Sequence, residues 1–179
     1  MLQYLLRFIK CLVTHRKNMS KISEHFSLSE VTFSETAIRN SIDNNPPDEI
    51  LPNIQRMANF MEQVRFVLNG RPINITSWYR SPEVNSIIGG SKSSAHMKGL
   101  ACDFVCPSLG DPLRVAQEIA QSNLDFDQCI LEGAKGGKWV HIGLNEGNRR
   151  QLLTAFFPGP RYYNGFLEEE PNEQKHEKG

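Results

Sequence analysis

Two strand-like segments follow one another in the second half of the chain without a helix between them. Phe126–Glu132 and Trp139–Leu144 are rich in apolar residues, and the glycine-containing segment Gly133–Lys138 joins them. Ala101–Cys106 has the composition of a further strand upstream. Because consecutive strands joined by a short connection pair in opposite directions, this order favours an antiparallel sheet.

Helical patterns precede and interrupt these strands. A helix is predicted over about Glu49–Asn69, where apolar residues recur at helical spacing, and Gly70 supplies its C-terminal stop. Pro72–Ser77 alternates like a strand, Ser81 and the proline after it begin a short helix, and Asp111–Ser122 forms another helix. We therefore predict an α+β fold with a small antiparallel sheet and helices packed on it.

The chain has the length of a single domain, with 179 residues. We assign residues 19–166 to this domain and predict that residues 167–179, rich in glutamate, form a disordered acidic tail. Residues 1–18 are basic, and two interpretations stay open: an amphipathic helix that contacts a membrane surface, or an upstream extension with Met19 as the true start. They are too short and too charged to span a membrane, and they lack the apolar stretch of a signal peptide.

Charge and cysteine spacing exclude several classes of protein. Twenty Lys and Arg balance twenty Asp and Glu, so no net positive charge favours a nucleic-acid partner. Cys11, Cys102, Cys106 and Cys129 form no C-x-x-C pair, which argues against a zinc ribbon or a thioredoxin motif. We expect reduced and mostly buried thiols, with Cys102 and Cys106 facing away from Asp103.

Strand parity can bring several titratable side chains together. Side chains alternate between the two faces of a sheet, so Asp103, Glu132 and His141 can share one face. His96 follows the small-residue loop Gly89–Ala95, which can fold back over that face. Two imidazoles and one carboxylate are a normal ligand set for catalytic zinc, with a fourth position left open for water.

The spacing of these residues also matches a known motif. Ser94–Asp103 fits S-x-H-x-x-G-x-A-x-D at every fixed position. Further landmarks occur in order: Ser77–Pro82 with Asn85, Phe126–Gln128 and Trp139–Ile142. Over about residues 25–145 the chain resembles the zinc D-Ala-D-Ala carboxypeptidase and phage endolysin family, whose metal-site fold is shared with lysostaphin-type peptidases and hedgehog signalling domains. The resemblance implies one zinc ion per chain, bound by His96, Asp103 and His141.

The resemblance implies roles for other residues as well. Arg80 would bind the C-terminal carboxylate of a peptide substrate, and Ser94 would hydrogen-bond the substrate near the scissile bond. Glu132 would serve first as general base and then as general acid. Trp139 occupies a position where some relatives have histidine, and its ring can wall the substrate groove while its N–H donates one hydrogen bond.

The position of the catalytic glutamate departs from the commonest family pattern. Many members carry it three residues before the last ligand, where this chain has Lys138. Other branches carry it at the end of the preceding strand, where Glu132 fits. Asp127 is the next candidate if Glu132 does not have this role.

These residues predict a zinc peptidase that hydrolyses peptidoglycan stem peptides as a carboxypeptidase or an endopeptidase, including the case of a phage or prophage lysin. The alternative is a zinc-containing binding module of the hedgehog-like fold without turnover. Glu132 and Arg80 favour the enzyme, because a structural zinc site needs neither. We expect a monomer that is synthesised in the cytoplasm without a clear signal peptide and acts on the cell wall or in the periplasm.

Overall fold

The computed structural model describes residues 21–171, so the predictions for residues 1–18 and for the tail beyond residue 171 lie outside the described residues. Within this range the α-helices are Leu28–Thr32 (α1), Glu35–Asn40 (α2), Leu51–Val67 (α3), Pro82–Ile87 (α4) and Pro112–Gln121 (α5). The strands are Asn74–Ser77 (β1), Ala101–Val105 (β2), Gln128–Ala134 (β3), Gly137–Gly143 (β4), Gln151–Phe156 (β5) and Arg161–Asn164 (β6). Short 3-10 turns cover Asp48–Ile50 and Ala95–Lys98.

The strands form one sheet in the order β1-β2-β4-β3-β5-β6. All neighbouring strands are antiparallel except β3 and β5, which are parallel. Gly143 at the end of β4 and Gln151 at the start of β5 both pair with Gln128. The connection between β4 and β5 therefore passes beyond the start of β3. As a result, β5 runs in the same direction as β3. The predicted α+β fold is confirmed, with this parallel pair as a departure from the purely antiparallel sheet that was expected.

The helix predicted at Glu49–Asn69 consists of the turn Asp48–Ile50 followed directly by α3. Ile54 and Met57, from its predicted apolar stripe, are buried, whereas Ile50 is half-buried. The helix ends at Val67, and Asn69 and Gly70 follow with left-handed φ angles of 57° and 69°, which stop its continuation. Along residues 21–171 no helix is both long and apolar enough to cross a membrane.

One face of the sheet carries the hydrophobic core, against which α3 and α5 pack. The core residues of the two helices and of β2, β3 and β4 include Ile54, Met57, Met61, Val115, Ile119, Cys102, Phe104, Cys129, Val140 and Ile142. Cys102, Cys106 and Cys129 are buried free thiols, and Cys102 and Cys106 lie in this core. Alternate residues of the same strands therefore project from the opposite face.

Strands β5 and β6 were not predicted from the sequence. Leu152 of β5 packs against the main core, while its neighbour Leu153 belongs to a second apolar cluster with Ile130 and Ala155. Because β5 is apolar towards both faces, it lacks the alternation by which a half-buried strand is recognised.

Candidate active site

The Ser94–Asp103 motif forms a capped turn followed by a strand. Ser94 Oγ accepts a hydrogen bond from the backbone N–H of His96 over 3.3 Å, at the start of the 3-10 turn. Gly99 ends the turn with a φ of 69°, and a Cβ at this position would lie 2.7 Å from Ile54 Cγ1 of α3. The motif therefore needs glycine here both for the backbone conformation and for the close packing on α3.

A backbone contact orients the His96 ring. Nδ1 of His96 lies 2.7 Å from the carbonyl oxygen of Trp78, and because a carbonyl can only accept, Nδ1 carries the proton. The indole N–H of Trp78 in turn donates to the carbonyl oxygen of Gly99 over 3.4 Å, which ties the two segments together. In a neutral ring Nε2 then has its lone pair free, the form in which histidine binds a metal ion.

Strand register places Asp103 and His141 side by side. Asp103 on β2 pairs with His141 on β4, and His141 pairs with Ile130 on β3. Paired residues of neighbouring strands project from the same face, which here is the face opposite the core. Glu132 lies two residues beyond Ile130 on β3 and so shares that face.

The ligating atoms of His96, Asp103 and His141 converge on one point. His96 Nε2 lies 3.2 Å from His141 Nδ1 and 3.2 Å from Asp103 Oδ1, and His141 Nδ1 lies 2.8 Å from the same oxygen. A tetrahedral zinc site with bonds of about 2.0–2.1 Å separates its ligand atoms by about 3.3 Å. The donor set, its separations and the tautomer of His96 therefore fit a zinc ion.

The electrostatic environment keeps Asp103 and His96 in forms that bind a metal ion. Burial alone would raise the pKa of Asp103, but His96, His141 and Arg80 hold that pKa well below its usual range. Burial lowers the pKa of His96. Burial acts in the same direction on His141, but the hydrogen bond to Asp103 and its charge outweigh it and raise the pKa of His141. Asp103 is thus an ionised carboxylate and His96 a neutral imidazole, as metal ligation requires.

Glu132 is a buried carboxyl group on the same face, only 8% exposed. Burial raises the pKa of Glu132 to about 7, and the charge of Asp103 acts in the same direction. The indole N–H of Trp139 donates a hydrogen bond to Glu132 Oε2 over 2.8 Å. A carboxyl group that titrates near neutral pH can both accept and return a proton, which is the property required of a general base and acid.

Trp139 also forms part of an aromatic wall. Its ring stacks on Phe157, with ring centroids 6.0 Å apart and an interplanar angle of 26°. The indole N–H was expected to donate one hydrogen bond, and the structure identifies the acceptor as Glu132. Trp139 therefore connects the candidate base to the wall of the groove.

Arg80 contacts Asp103 of this cluster directly. Its Nη2 donates to Asp103 Oδ2, and its Nε donates to Ser77 Oγ over 2.8 Å. The side chain is 17% exposed and borders the groove. Because Arg80 holds Oδ2, the other carboxylate oxygen of Asp103 is directed at the two histidines, a relationship that motif spacing alone did not indicate.

A groove of about 910 Å³ runs over this face of the sheet, a volume in the range of ligand-binding pockets. All the site residues predicted from the sequence border it: Arg80, Ser94, His96, Asp103, Glu132, Trp139 and His141. The loop before His96 forms one side, as its small residues suggested. The sequence-predicted residues are thus brought to one place, while their individual roles remain predictions.

Other parts of the groove come from residues that the sequence analysis did not assign to the site. Phe157 and Tyr162 form part of the wall beside Glu132. At the other end Gln128 Nε2 donates to Gln151 Oε1 over 2.8 Å. Gln128 belongs to the landmark Phe126–Gln128 but was given no role in the site. No motif marks Gln151, Phe157 or Tyr162, because their position depends on the pairing of β5 and β6, which the sequence analysis did not predict.

Asp127, the alternative candidate for the base, lies at this far end of the groove. Arg149 donates to both of its carboxylate oxygens, from Nε over 2.7 Å and from Nη2 over 2.8 Å. The hydrogen bonds from Arg149 lower the pKa of Asp127. A carboxylate held in this way is a poorer proton acceptor than Glu132.

Comparison with known proteins gives one result, which covers the chain up to the end of β4. A family model described as Peptidase M15 matches residues 24–143, more than half of the chain. The matched range contains β1 to β4 and the His96, Asp103 and His141 cluster, and it ends before β5. No curated protein matches the chain at a significant level.

Proposed function

Because the chain belongs to the peptidase M15 family, we propose that it is a zinc-dependent peptidase that hydrolyses peptidoglycan stem peptides. Family membership makes it a metal-dependent peptidase in the general sense. The proposal adds the identity of the metal, the substrate and the residue roles. One observation carries it: His96 Nε2, Asp103 Oδ1 and His141 Nδ1 lie within 3.2 Å of one another, in the same groove as the buried carboxyl group of Glu132.

The proposed chemistry assigns metal binding to His96, Asp103 and His141, and proton transfer to Glu132. His96, Asp103 and His141 would hold a zinc ion, which when bound lowers the pKa of a coordinated water to about 7 and polarises the peptide carbonyl. Glu132 accepts the proton of the attacking water and delivers it to the leaving amine. Because Trp139 donates to Oε2, Oε1 is the oxygen left to carry this proton.

Arg80 and Ser94 are the proposed contacts to the substrate. Arg80 borders the groove beside the cluster, and a guanidinium group can bind a terminal carboxylate through two parallel hydrogen bonds. In the absence of substrate it donates to Asp103, so a substrate carboxylate would share the guanidinium with that residue. Ser94 uses its oxygen to accept from His96, and its hydroxyl hydrogen is left to donate to the peptide.

A zinc-containing binding module without turnover is the alternative function. Such a module needs the three ligands but no second buried carboxyl group. Glu132 is buried at a cost in stability, and its pKa of about 7 is tuned for proton transfer near neutral pH. This observation favours the enzyme. We further propose that the protein acts as a monomer on the cell wall or in the periplasm, either as a phage or prophage lysin or as a cell-wall enzyme of its host.

The direct test is a digest of purified peptidoglycan by the zinc-loaded protein, with mass analysis of the fragments. Release of free D-alanine would identify a carboxypeptidase, and separation of cross-linked fragments would identify an endopeptidase. The matched control is Glu132→Gln, which should keep zinc and lose activity by about 10²–10⁴-fold, the usual contribution of a general base. A folded, zinc-loaded protein that releases no fragment would contradict the proposed function and support the binding module.

A further inference from the structure

A row of paired residues crosses four strands on the groove face. Trp139 on β4 pairs with Glu132 on β3, Glu132 pairs with Ala155 on β5, and Ala155 pairs with Tyr162 on β6. Cross-strand partners project from the same face, so Tyr162 stands on the side of the sheet that carries Glu132. Tyr162, Glu132 and Trp139 all border the groove.

Ala155 leaves space between Glu132 and Tyr162. It is fully buried, and its methyl group is the only side chain between the two in the row. Neighbouring strands are about 4.8 Å apart, so the backbones of Glu132 and Tyr162 are separated by roughly 10 Å. A long side chain on β6 can cross much of that span because its neighbour is alanine.

The phenol group of Tyr162 is close enough to the site to respond to its charges. Burial raises the pKa of Tyr162, and the carboxylates of Glu132 and Asp103 raise it further. The residue is 54% exposed, and its hydroxyl has no hydrogen-bond partner among residues 21–171. Tyr162 therefore presents a protonated donor to the groove at neutral pH.

Tyr162 comes from a part of the chain beyond the residues that match the family, which end at residue 143. The metal cluster and Glu132 lie within the matched range, whereas the wall on the far side of Glu132 is supplied by β6. The groove thus combines the family's matched region with a side chain that follows it.

We propose that Tyr162 is a further catalytic residue, whose hydroxyl donates a hydrogen bond to the carbonyl oxygen of the scissile peptide bond as negative charge develops there. This role rests on the proposed peptidase function and extends it. No covalent bond to Tyr162 forms or breaks, and its proton stays on the phenol oxygen. A donor that acts on developing charge raises kcat, because it binds the transition state more strongly than the substrate.

The kinetic test is Tyr162→Phe in the zinc-loaded protein, which removes the hydroxyl and keeps the ring. We expect kcat on a stem peptide to fall by roughly 100-fold, the effect of removing one such donor, with KM and zinc content unchanged. The matched control is Tyr163→Phe, because Tyr163 alternates to the other face of β6 and its hydroxyl lies 3.5 Å from Glu170 Oε1. That variant should keep the wild-type kcat.

A second measurement needs neither zinc nor activity. In metal-free protein with ¹³Cζ-labelled tyrosine, the Tyr162 signal is identified by its loss in Tyr162→Phe, and its pKa is followed by NMR. Glu132→Gln removes a negative charge near the phenol, so the pKa of Tyr162 should fall. An unchanged pKa would place the hydroxyl away from Glu132 and overturn the proposal.

The outcomes separate this proposal from the proposed function. An active wild type with an equally active Tyr162→Phe variant overturns the role of Tyr162 and leaves the peptidase intact. A loss confined to KM also overturns it, since the hydroxyl would then only bind substrate. A wild type that cleaves no peptide contradicts the peptidase function, and the catalytic role of Tyr162 falls with it.

Discussion

Trp139 on β4 and Glu132 on β3 are cross-strand partners, joined by a hydrogen bond of 2.8 Å from the indole N–H to Oε2. The bond stabilises the ionised carboxylate, whereas burial stabilises the neutral form. The pKa of about 7 is the balance of these and the neighbouring charges. Trp139 is therefore one of the groups that lower the pKa of the candidate base, against the larger effect of burial.

Trp139→Phe should raise the pKa of Glu132 above its value of about 7, because an aromatic ring remains while the N–H donor is lost. In metal-free protein, NMR of ¹³Cδ-labelled glutamate would measure the shift. In the active enzyme, the acidic limb of kcat/KM should move to higher pH in the same variant. An unchanged pKa would show that the hydrogen bond does not influence Glu132.

Zinc should bind with one ion per chain and be lost in His96→Ala and in His141→Ala. Each substitution removes one of three converging ligand atoms. His25→Ala is the matched control, because His25 pairs with Glu62 over 2.8 Å and does not border the groove. Elemental analysis of the folded proteins measures the zinc. Stoichiometric zinc in the His96 and His141 variants would contradict the assigned site.

Arg80→Ala should weaken zinc binding by about 10–100-fold, the usual effect of removing a residue that orients a metal ligand. The reason is its hydrogen bond to Asp103 Oδ2, without which the carboxylate can rotate. Arg149→Ala is the control, since Arg149 pairs with Asp127 at the other end of the groove. Competition with a chelator measures the affinity. If both variants bind zinc like the wild type, Arg80 does not position Asp103.

Glu132→Gln should change how the stability of the metal-free protein depends on pH. The pKa of Glu132 rises from 4.5 to about 7 on folding, so the folded state holds the proton more tightly and the free energy of unfolding falls as pH rises through this window. The Glu132→Gln variant has no ionisable group at this position and so lacks this decrease in the free energy of unfolding. Its free energy of unfolding relative to wild type should therefore increase by on the order of 3 kcal/mol between about pH 5 and about pH 8. Denaturant titrations at the two pH values measure the difference, and parallel pH profiles would contradict the burial of an ionisable Glu132.

Gly99→Ala should destabilise the fold by about 1–3 kcal/mol more than Gly89→Ala, the usual cost of overpacking. Both glycines have left-handed backbone conformations, with φ of 69° and 70°, so backbone strain is common to the two variants. Only at Gly99 does the new methyl group meet a neighbour, Ile54 Cγ1 at 2.7 Å. Denaturant unfolding of the metal-free proteins compares them. Equal decreases in the free energy of unfolding would show that α3 accommodates the new methyl group without loss of stability.

The convergence of His96, Asp103 and His141 could be predicted because the conformations that orient these side chains are local, whereas the pairing of β2 with β4 is long-range. Ser94 and Gly99 set the start and end of one short turn, and two-residue parity along β2 and β4 orients Asp103 and His141. These are short-range features that remain visible in a motif. The antiparallel pairing of β3 with β4 was inferred for the same reason, since a short connection joins them.

The contact between Arg80 and Asp103 could not be predicted in this way. β1 pairs with β2 through an irregular register, in which Ser77 rather than Thr76 is opposite Asp103. The direction of the chain after Ser77 depends on this irregularity. Whether Arg80 can reach Asp103 therefore depends on it as well. Spacing in sequence carries no record of such a bulge, so Arg80 was assigned to the substrate alone.

The far wall of the groove was missed because β5 and β6 depend on long-range pairing. Leu152 and Leu153 are packed on opposite faces of the sheet, which removes the polar alternation expected of a strand. The position of Tyr162 beside Glu132 then depends on the parallel pairing of β5 with β3 and on the return of β6.

The parallel pairing of β5 with β3 also affects solubility. β3 has a neighbour on each side because the chain returns to the sheet after Asn145. A shortened protein that ended there would expose those backbone N–H and C=O groups of β3 that now pair with β5, and such open edges pair with other copies. The segment that carries the metal motif is therefore expected to aggregate when it is produced without the last two strands.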